Sequence, residues 1–397
     1  MTARDLAYEV IRRTFEEGAY TDRAFAGEAA KAVLDDRDRR LAMRLAYGTV
    51  QRVRTLDHAF AELAGRPVAR MQPPLRTALR MGAYQLLFAG GVPDHAAVSE
   101  TVDLARRVAG AGAAGFANAL LRRVAAAGSD WVATLPPALR HSYPDWVADE
   151  WTEMFGAAEA ELLMAAQNEP AELAVRVNPL AAGPFDPGVP WHGDPELPEA
   201  VVLDGRFDVA ASEQLAAGLI WPQSRAAMLP ARLLAPEPGM RVADLCAAPG
   251  GKSGQLAALM GNRGELVCVD SHRGRAAALR RMLRGQHVTC AEVVVADVLD
   301  VRRGGFDRIL LDPPCSGLGV LAGRPDARWR RTPESAADLA GLQARLLDHA
   351  LGMLAPGGRL VYAVCTLRRA ECGAILPGGR FTLPHVDHTD GFYIAAP

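Results

Sequence analysis

The 397-residue sequence has no cysteine before position 246, few aromatic residues, almost no lysine and no apolar run long enough to span a membrane. No secretory signal pattern is read at its start. The six cysteines (Cys246, Cys268, Cys290, Cys315, Cys365 and Cys372) contain no Cys-x-x-Cys pair, so no metal site is expected. A reduced, cytoplasmic protein is the default, with each cysteine either packed in a core or reactive. Among 44 basic residues only Lys31 and Lys252 are lysines. The net charge of −2 gives no global basic signal, which excludes a bulk polycation but leaves local patches free to hold nucleic acid. The Gly-x-Gly-x-x-Gly spacing of dinucleotide sites is also missing.

What is present suffices for two or three domains. Half of the residues are hydrophobic and 23% are charged, enough to bury proper cores. The chain is organised around Arg241 to Ser253. An apolar run to Leu245 reads as a buried strand, Pro249-Gly250-Gly251 as a tight loop, and Ser253 to Met260 as a helix. Strand, glycine turn and helix let a backbone approach a nucleotide at the carboxyl edge of a parallel sheet. Gly251-Lys252-Ser253 mimics a phosphate-binding P-loop, but the first glycine is absent at the required distance.

Residues 1–128 read as nearly all helix, with apolar residues at helical spacing (Leu6, Val10, Ile11; Leu41, Leu45; Leu56, Phe60, Leu63). Pro67, Pro73, Pro74, Gly90-Gly91 and Pro93 punctuate it. Arginines recur at Arg12-Arg13, Arg37, Arg39-Arg40, Arg44, Arg52, Arg54, Arg76, Arg80, Arg106-Arg107 and Arg122-Arg123. Such a face either follows phosphates or is a solvated surface of intrahelical ion pairs; composition does not separate the two. Residues 129–230 are poor in basic residues and rich in Pro, Asp and Glu. They read as a helix pair around Trp131, Trp146 and Trp151, strands at Leu173–Asn178 and Val201–Leu203, and a long loop marked by five prolines from Pro184 to Pro198. Residues 231–397 alternate strand and helix. Strands at Arg241–Leu245, Glu265–Val269, Glu292–Val295, Arg308–Leu311 and Arg359–Val364 give a doubly wound α/β domain.

Four groups fall at the ends of these strands: Asp270, Asp297, Asp312 and Cys365. Acids in this spacing beside a glycine loop fit an S-adenosylmethionine site: Asp270 for ribose hydroxyls, Asp297 for an adenine amino group. Taken singly, each acid is better explained as a helix cap; four groups in register favour the cofactor site. The cysteines point to the reaction. Carbon 5 of a pyrimidine is a poor nucleophile until a thiolate adds at carbon 6. Amine methylation needs no thiol, and its sites typically carry an aromatic after the Pro-Pro pair, where this chain has Cys315.

Two resemblances follow. Arg39 to Arg44 with Ala46-Tyr47-Gly48-Thr49-Val50, Leu79 to Leu86, Ala97 to Val102 and Gly115 to Arg122 resemble the RNA-binding fold of the antitermination factor NusB. Asp244 to Lys252, Leu311-Asp312-Pro313-Pro314-Cys315-Ser316-Gly317 and Val364-Cys365-Thr366, with Arg324-Pro325-Asp326, Arg328-Trp329 and His388 to Tyr393, resemble the Nop/Sun family of RNA cytosine-5 methyltransferases. With the NusB-like front end, the resemblance is to its bacterial branch acting on 16S ribosomal RNA, the Sun (Fmu) type. It implies three domains: a NusB-like bundle (1–128), a small α+β RNA-contacting linker domain (129–230) and a Rossmann-like methyltransferase domain (231–397). It also implies that Cys246, Ala247, Ala248, Pro249, Gly250, Gly251, Lys252, Asp270, Asp297 and Asp312 hold S-adenosyl-L-methionine, and that Asp312 also orients the cytosine. Cys365 is then the nucleophile and Cys315 assists release of the methylated base. Enzymes acting on DNA use the Pro-Cys cysteine as nucleophile, so this division of roles rests on the resemblance alone. The chain departs from the pattern at Val364-Cys365-Thr366, where the family reads Thr-Cys-Ser, at Glu371-Cys372, where it reads Glu-Asn, and in the short stretch from Glu371 to Leu383. The expected partner is 16S ribosomal RNA, before or during small-subunit assembly, with no membrane and a monomeric protein. A non-catalytic RNA-binding assembly factor and a transfer RNA cytosine-5 methyltransferase are the alternatives.

Overall fold

The computed structural model describes residues 1–65 and 68–397; Pro67, one of the expected helix breaks, lies outside them. The chain divides into two compact units. The first comprises 1–169 with 321–330, and the second 170–320 with 331–397.

The first unit is helical, as its periodicity requires. Its bundle is built from α1 (Ala3–Glu16), α2 (Thr21–Ala29), α3 (Asp36–Ala64), α4 (Pro73–Leu87), α5 (Asp94–Ala109) and α6 (Ala111–Ala133). Local chemistry sets the boundaries. Thr2 and Asp5 form a reciprocal capping box at α1, and Asp35 caps α3 by accepting from the Asp38 N–H at 2.7 Å. Pro73 opens α4, where a missing N–H costs nothing, and Gly65 ends α3 in the left-handed conformation at φ 61°. Gly48 has a packing role, because a Cβ there would lie 2.0 Å from the Tyr84 ring. The leucine-rich core includes Leu6, Leu45, Leu56, Phe60, Leu79 and Leu121. Three further helices follow at Pro137–Arg140, Asp145–Phe155 and Ala157–Ala166, with Trp151 fully buried against Tyr143.

Ten residues from far along the chain complete this unit. Within Leu321–Arg330 the Trp329 ring packs on the bundle core and its indole N–H donates to the Val50 carbonyl at 2.7 Å. Arg328 is fully buried, with its guanidinium 4.1 Å from the centre of the Tyr143 ring and bonded to the Ser142 carbonyl and Asn168 Oδ1.

The second unit contains two sheets among the described residues. The smaller is antiparallel, in the order β2 (Trp191–Asp194), β3 (Leu197–Leu203), β1 (Ala174–Val177), β4 (Ile220–Pro222). The proline-rich stretch expected as a long loop therefore contains β2 and the start of β3. Pro190, Pro195 and Pro198 sit on exposed positions at or beside the strand ends, where a missing donor is tolerated. The larger sheet has the order β10-β11-β9-β8-β5-β6-β7. Its strands are β5 (Arg241–Leu245), β6 (Glu265–Val269), β7 (Ala291–Val294), β8 (Phe306–Leu311), β9 (Leu354–Val364), β10 (Arg380–Thr382) and β11 (Phe392–Ala395). From β7 to β9 neighbours are parallel; β11 and β10 join antiparallel. The chain starts at β5, runs outward to β7, then returns to the other side of β5 as β8. The strand order reverses between β5 and β8, which opens a crevice at their carboxyl ends. No helix of the described residues is long and apolar enough to cross a membrane.

Candidate active site

The glycine turn lies at the carboxyl end of β5. Ala247 N–H donates to the Val269 carbonyl at 2.8 Å, which ties the turn to the neighbouring strand. Gly250 has φ 115°, which favours glycine, and a Cβ there would lie 2.7 Å from Leu279 Cδ1 and displace that side chain. The helix Gly251–Leu259 starts immediately after it. Beneath the turn the Ser253 hydroxyl donates to the buried Asp244 carboxyl at 2.5 Å. Burial pushes the Asp244 pKa up to about 7, against the pull of Ser253. The Cys246 thiol is likewise driven up, by burial and by Asp312, Asp244 and Asp270, which keeps it protonated.

Lys252 reaches across the crevice from this helix to Asp312 at the end of β8, with Nζ–Oδ2 at 2.7 Å. Burial opposes the lysine charge, but Asp312 overrides it and the net pKa is raised. Lys252 Nζ also lies 5.2 Å from the Phe392 ring centre. Three residues after Asp312, the Cys315 sulfur lies 3.4 Å from the Cys365 sulfur. The Gly319 N–H donates to the Cys365 carbonyl at 3.0 Å, and Ser316 and Thr366 hydroxyls meet at 2.6 Å, so the two cysteine turns are bonded on both flanks. The Cys315 thiol is pushed well up by its hydrogen bond to Cys365, then by burial and by the charges of Cys365, Glu371 and Asp312. Two sulfurs this close do not both ionise easily.

Asp270 ends β6, nearly buried, with Oδ1 accepting from the His272 N–H at 2.8 Å and from Arg275 Nε at 3.0 Å. Asp297 caps a short 3-10 turn by accepting from the Leu299 N–H at 3.0 Å. The structure thus brings Lys252 to Asp312 and Cys315 to Cys365, while Asp270 and Asp297 are engaged locally. Sequence reading did not find Gln343 and Tyr362, which sit under the cysteine turns; one glutamine in a helix and one aromatic in a strand carry no local signal. Glu371 belongs with them and entered the sequence reading only as the matching half of a Glu-Asn pair that Cys372 breaks.

Several arginines of the first unit pair with carboxylates: Arg12, Arg13 and Arg106 at the i,i+3 or i,i+4 spacing of the intrahelical reading, Arg80 and Arg107 with Asp57 and Asp5 of other helices. Arg4, Arg37, Arg40 and Arg44 instead line a pocket of about 530 Å³ beside Gly90 and Gly91. No group of three or more candidate metal ligands occurs among the described residues.

Comparison with known proteins places this architecture. A family model described as 16S rRNA methyltransferase RsmB/F matches residues 231–378, and that of the NusB family matches residues 1–126. The probable ribosomal RNA small subunit methyltransferase B of Synechocystis is 33% identical over 442 residues, covering 100% of this chain and 99% of its own. The chain belongs to the RsmB/F family of 16S rRNA methyltransferases. Within that family, the ribosomal RNA small subunit methyltransferase B of Thermus thermophilus is 37% identical over 343 residues, 85% of this chain and 77% of that one. The crystal structure of a methyltransferase homolog protein from Pyrococcus horikoshii aligns with a TM-score of 0.59 at 28% identity, over 66% of this chain and 96% of that one. The front end is a NusB domain and the sheet of the second unit a methyltransferase domain, so this RsmB/F protein is an RNA methyltransferase.

Proposed function

We propose that this protein methylates carbon 5 of a cytosine in 16S ribosomal RNA through a covalent cysteine adduct. One observation carries the reading: two cysteine sulfurs 3.4 Å apart, at a sheet edge that also holds a lysine–aspartate pair at 2.7 Å. Amine methylation has no use for the first.

S-adenosyl-L-methionine fits the crevice at the β5/β8 reversal. The Ala247 to Gly251 turn offers backbone groups at the carboxyl end of β5, and Asp270 offers a carboxylate at the end of β6. Cys246 to Lys252, Asp270, Asp297 and Asp312 are the residues assigned to hold it. When bound, it supplies an electrophilic methyl group.

Cys365 is assigned as the nucleophile. Its thiolate adds to carbon 6 of the cytosine; the carbon 5–carbon 6 electron pair moves into the ring, whose nitrogen takes a proton. Asp312 orients the base there, and the Lys252 ammonium bonded to it is the proton source. Carbon 5 is then nucleophilic. After methylation, the ring nitrogen returns its proton to Lys252, the carbon 5 proton leaves to a base, the double bond re-forms and the bond to the Cys365 sulfur breaks. Cys315, kept as a thiol in the resting site, takes up and returns protons in that release. The target base leaves its stack, since ring carbons are not reached within one. The arginine pocket of the first unit suits RNA phosphates.

The test is incubation with tritiated S-adenosylmethionine and small-subunit ribosomal RNA, comparing the parent protein with Cys365→Ala and Cys315→Ala. Cys365→Ala abolishes transfer, and Cys315→Ala accumulates a protein–RNA adduct on a denaturing gel. Swapped outcomes reverse the two roles. Absence of transfer by the parent protein, with RNA still bound, sinks the reading in favour of an assembly factor.

A further inference from the structure

The floor of the two-cysteine site is a closed polar cluster that the steps above do not use. Glu371 is fully buried. Its Oε2 accepts from the Ser316 backbone N–H at 2.8 Å and from Gln343 Nε2 at 3.0 Å, and its Oε1 lies 3.8 Å from Arg368 Nη1. Gln343 Nε2 also donates to the Pro314 carbonyl at 2.9 Å. The Tyr362 hydroxyl sits 2.8 Å from the Glu371 carbonyl and 3.1 Å from Gln343 Oε1. Glu371 and Gln343 therefore grip the chain on both sides of Cys315.

The hydrogen bonds alone do not call for a carboxylate. A glutamine oxygen accepts from the same two donors, without the several kcal/mol that burying a charge costs. An arginine at 3.8 Å compensates only partly. What the charge adds is a field at its neighbour, and that neighbour is Cys315. We propose that Glu371 is a positioning residue for methyl transfer: through Ser316 and Gln343 it aims the Cys315 sulfur at Cys365, and its buried negative charge reserves Cys315 for proton transfer. The inference rests on the cytosine-5 reading given above.

The charged and titratable groups around Cys315 are consistent with this role. Cys365, Glu371 and Asp312 all raise its thiol. Tyr362 from β9 is itself pushed far up by burial, with Cys372, Cys315 and Glu371 adding to it, and stays neutral. Of the nearby cations, Lys252 pairs with Asp312, Arg331 donates to the Ser316 and Cys315 carbonyls, and Arg368 lies beside Glu371.

The experiment measures the pH dependence of Cys315 alkylation by iodoacetamide, read by mass spectrometry of its peptide. The full-length chain carries Cys365→Ser, alone or with Glu371→Gln or Glu371→Asp. Glu371→Gln moves the alkylation midpoint to lower pH; Glu371→Asp, which keeps the charge, leaves it near the parent. In chains with Cys365 intact, Glu371→Gln lowers kcat about a hundred-fold, the size expected for a misplaced reacting group, with KM for both substrates nearly unchanged. An unmoved midpoint with unmoved kcat overturns the proposal. Should Glu371→Gln fail to fold, Gln343→Leu tests the grip on Pro314: an unchanged kcat there overturns the positioning role. Failure of the parent protein to methylate RNA sinks the underlying reading, yet leaves the alkylation comparison interpretable.

Discussion

Replacing Asp244 by asparagine should stabilise the second unit at alkaline pH and leave it unchanged in acid. Asp244 is almost wholly buried below the glycine turn, and its pKa rises from the ordinary 3.8 to about 7 because burial disfavours its charge. The folded protein thus binds this proton more tightly than the unfolded chain does. Its contribution to stability is complete below pH 3.8 and is lost progressively as the pH rises through about 7. A shift of about three units, at 1.36 kcal/mol each, amounts to about 4 kcal/mol above pH 8. Asparagine keeps an oxygen for the Ser253 hydroxyl and removes the titration. Its amide hydrogens need acceptors, so about 4 kcal/mol is a ceiling. For a unit of this size that corresponds to a rise in Tm of roughly 10 °C. Thermal unfolding followed by near-ultraviolet circular dichroism, at intervals from pH 4 to pH 8.5, compares the two proteins. The gap in Tm opens between pH 4 and pH 8. A gap that is constant across that range refutes the argument, because only titration of Asp244 makes it depend on pH.

Peroxide should close the cysteine pair. With the sulfurs at 3.4 Å, oxidation of one thiolate to a sulfenic acid lets the other thiol displace water and form a disulfide. Non-reducing peptide mapping detects the Cys315–Cys365 link, and methyl transfer falls with it and returns on reduction by dithiothreitol. Gly319→Ala places a Cβ 1.8 Å from the Gly391 carbonyl, so the backbone must move and the Gly319 N–H loses its hold on the Cys365 carbonyl. Urea unfolding shows a loss of about 2 kcal/mol or more, with a larger fall in kcat than in cofactor affinity. Arg40→Ala or Arg44→Ala, at the pocket, weakens binding of ribosomal RNA and reduces its salt dependence by about one unit of slope for each phosphate contact removed. Arg106→Ala, on an exposed pair with Asp103, leaves both nearly unchanged.

The helical and doubly wound parts were legible because their periodicity is local. Strands at Arg241–Leu245 and Glu265–Val269 lie where the apolar runs put them. From sequence, β9 is expected to begin at Arg359, just after Pro356-Gly357-Gly358. The strand in fact begins at Leu354, and a register shift against β8 between Phe306 and Arg308 absorbs the irregularity. The short strands β2, β4, β10 and β11 carry three or four residues each, too few for alternation to register. At the site, the carriers of the glycine loop and the Pro-Cys turn were readable from their motifs. Gln343 and Tyr362 were not, because their function is set by a meeting of distant segments. The same holds for the sorting of arginines into paired and pocket-lining sets, which depends on helix–helix placement rather than on the doublets themselves.

The placement of Leu321–Arg330 has a practical consequence for anyone dissecting this chain. The polypeptide passes from one unit to the other after Glu169, after Val320 and after Arg330. A protease nick at the first junction leaves residues 321–330 bonded to the second unit and held in the first by non-covalent contacts alone. An expression fragment beginning at residue 170 carries Arg328 and Trp329 without the Tyr143, Ser142 and Val50 groups that cover or bond them. Such a fragment presents a bare arginine and tryptophan midway along the segment that joins Cys315 to the rest of its sheet, and it invites aggregation. The catalytic half is not a cassette to be cloned at a single boundary; an excision that respects the fold also replaces ten internal residues with a polar bridge.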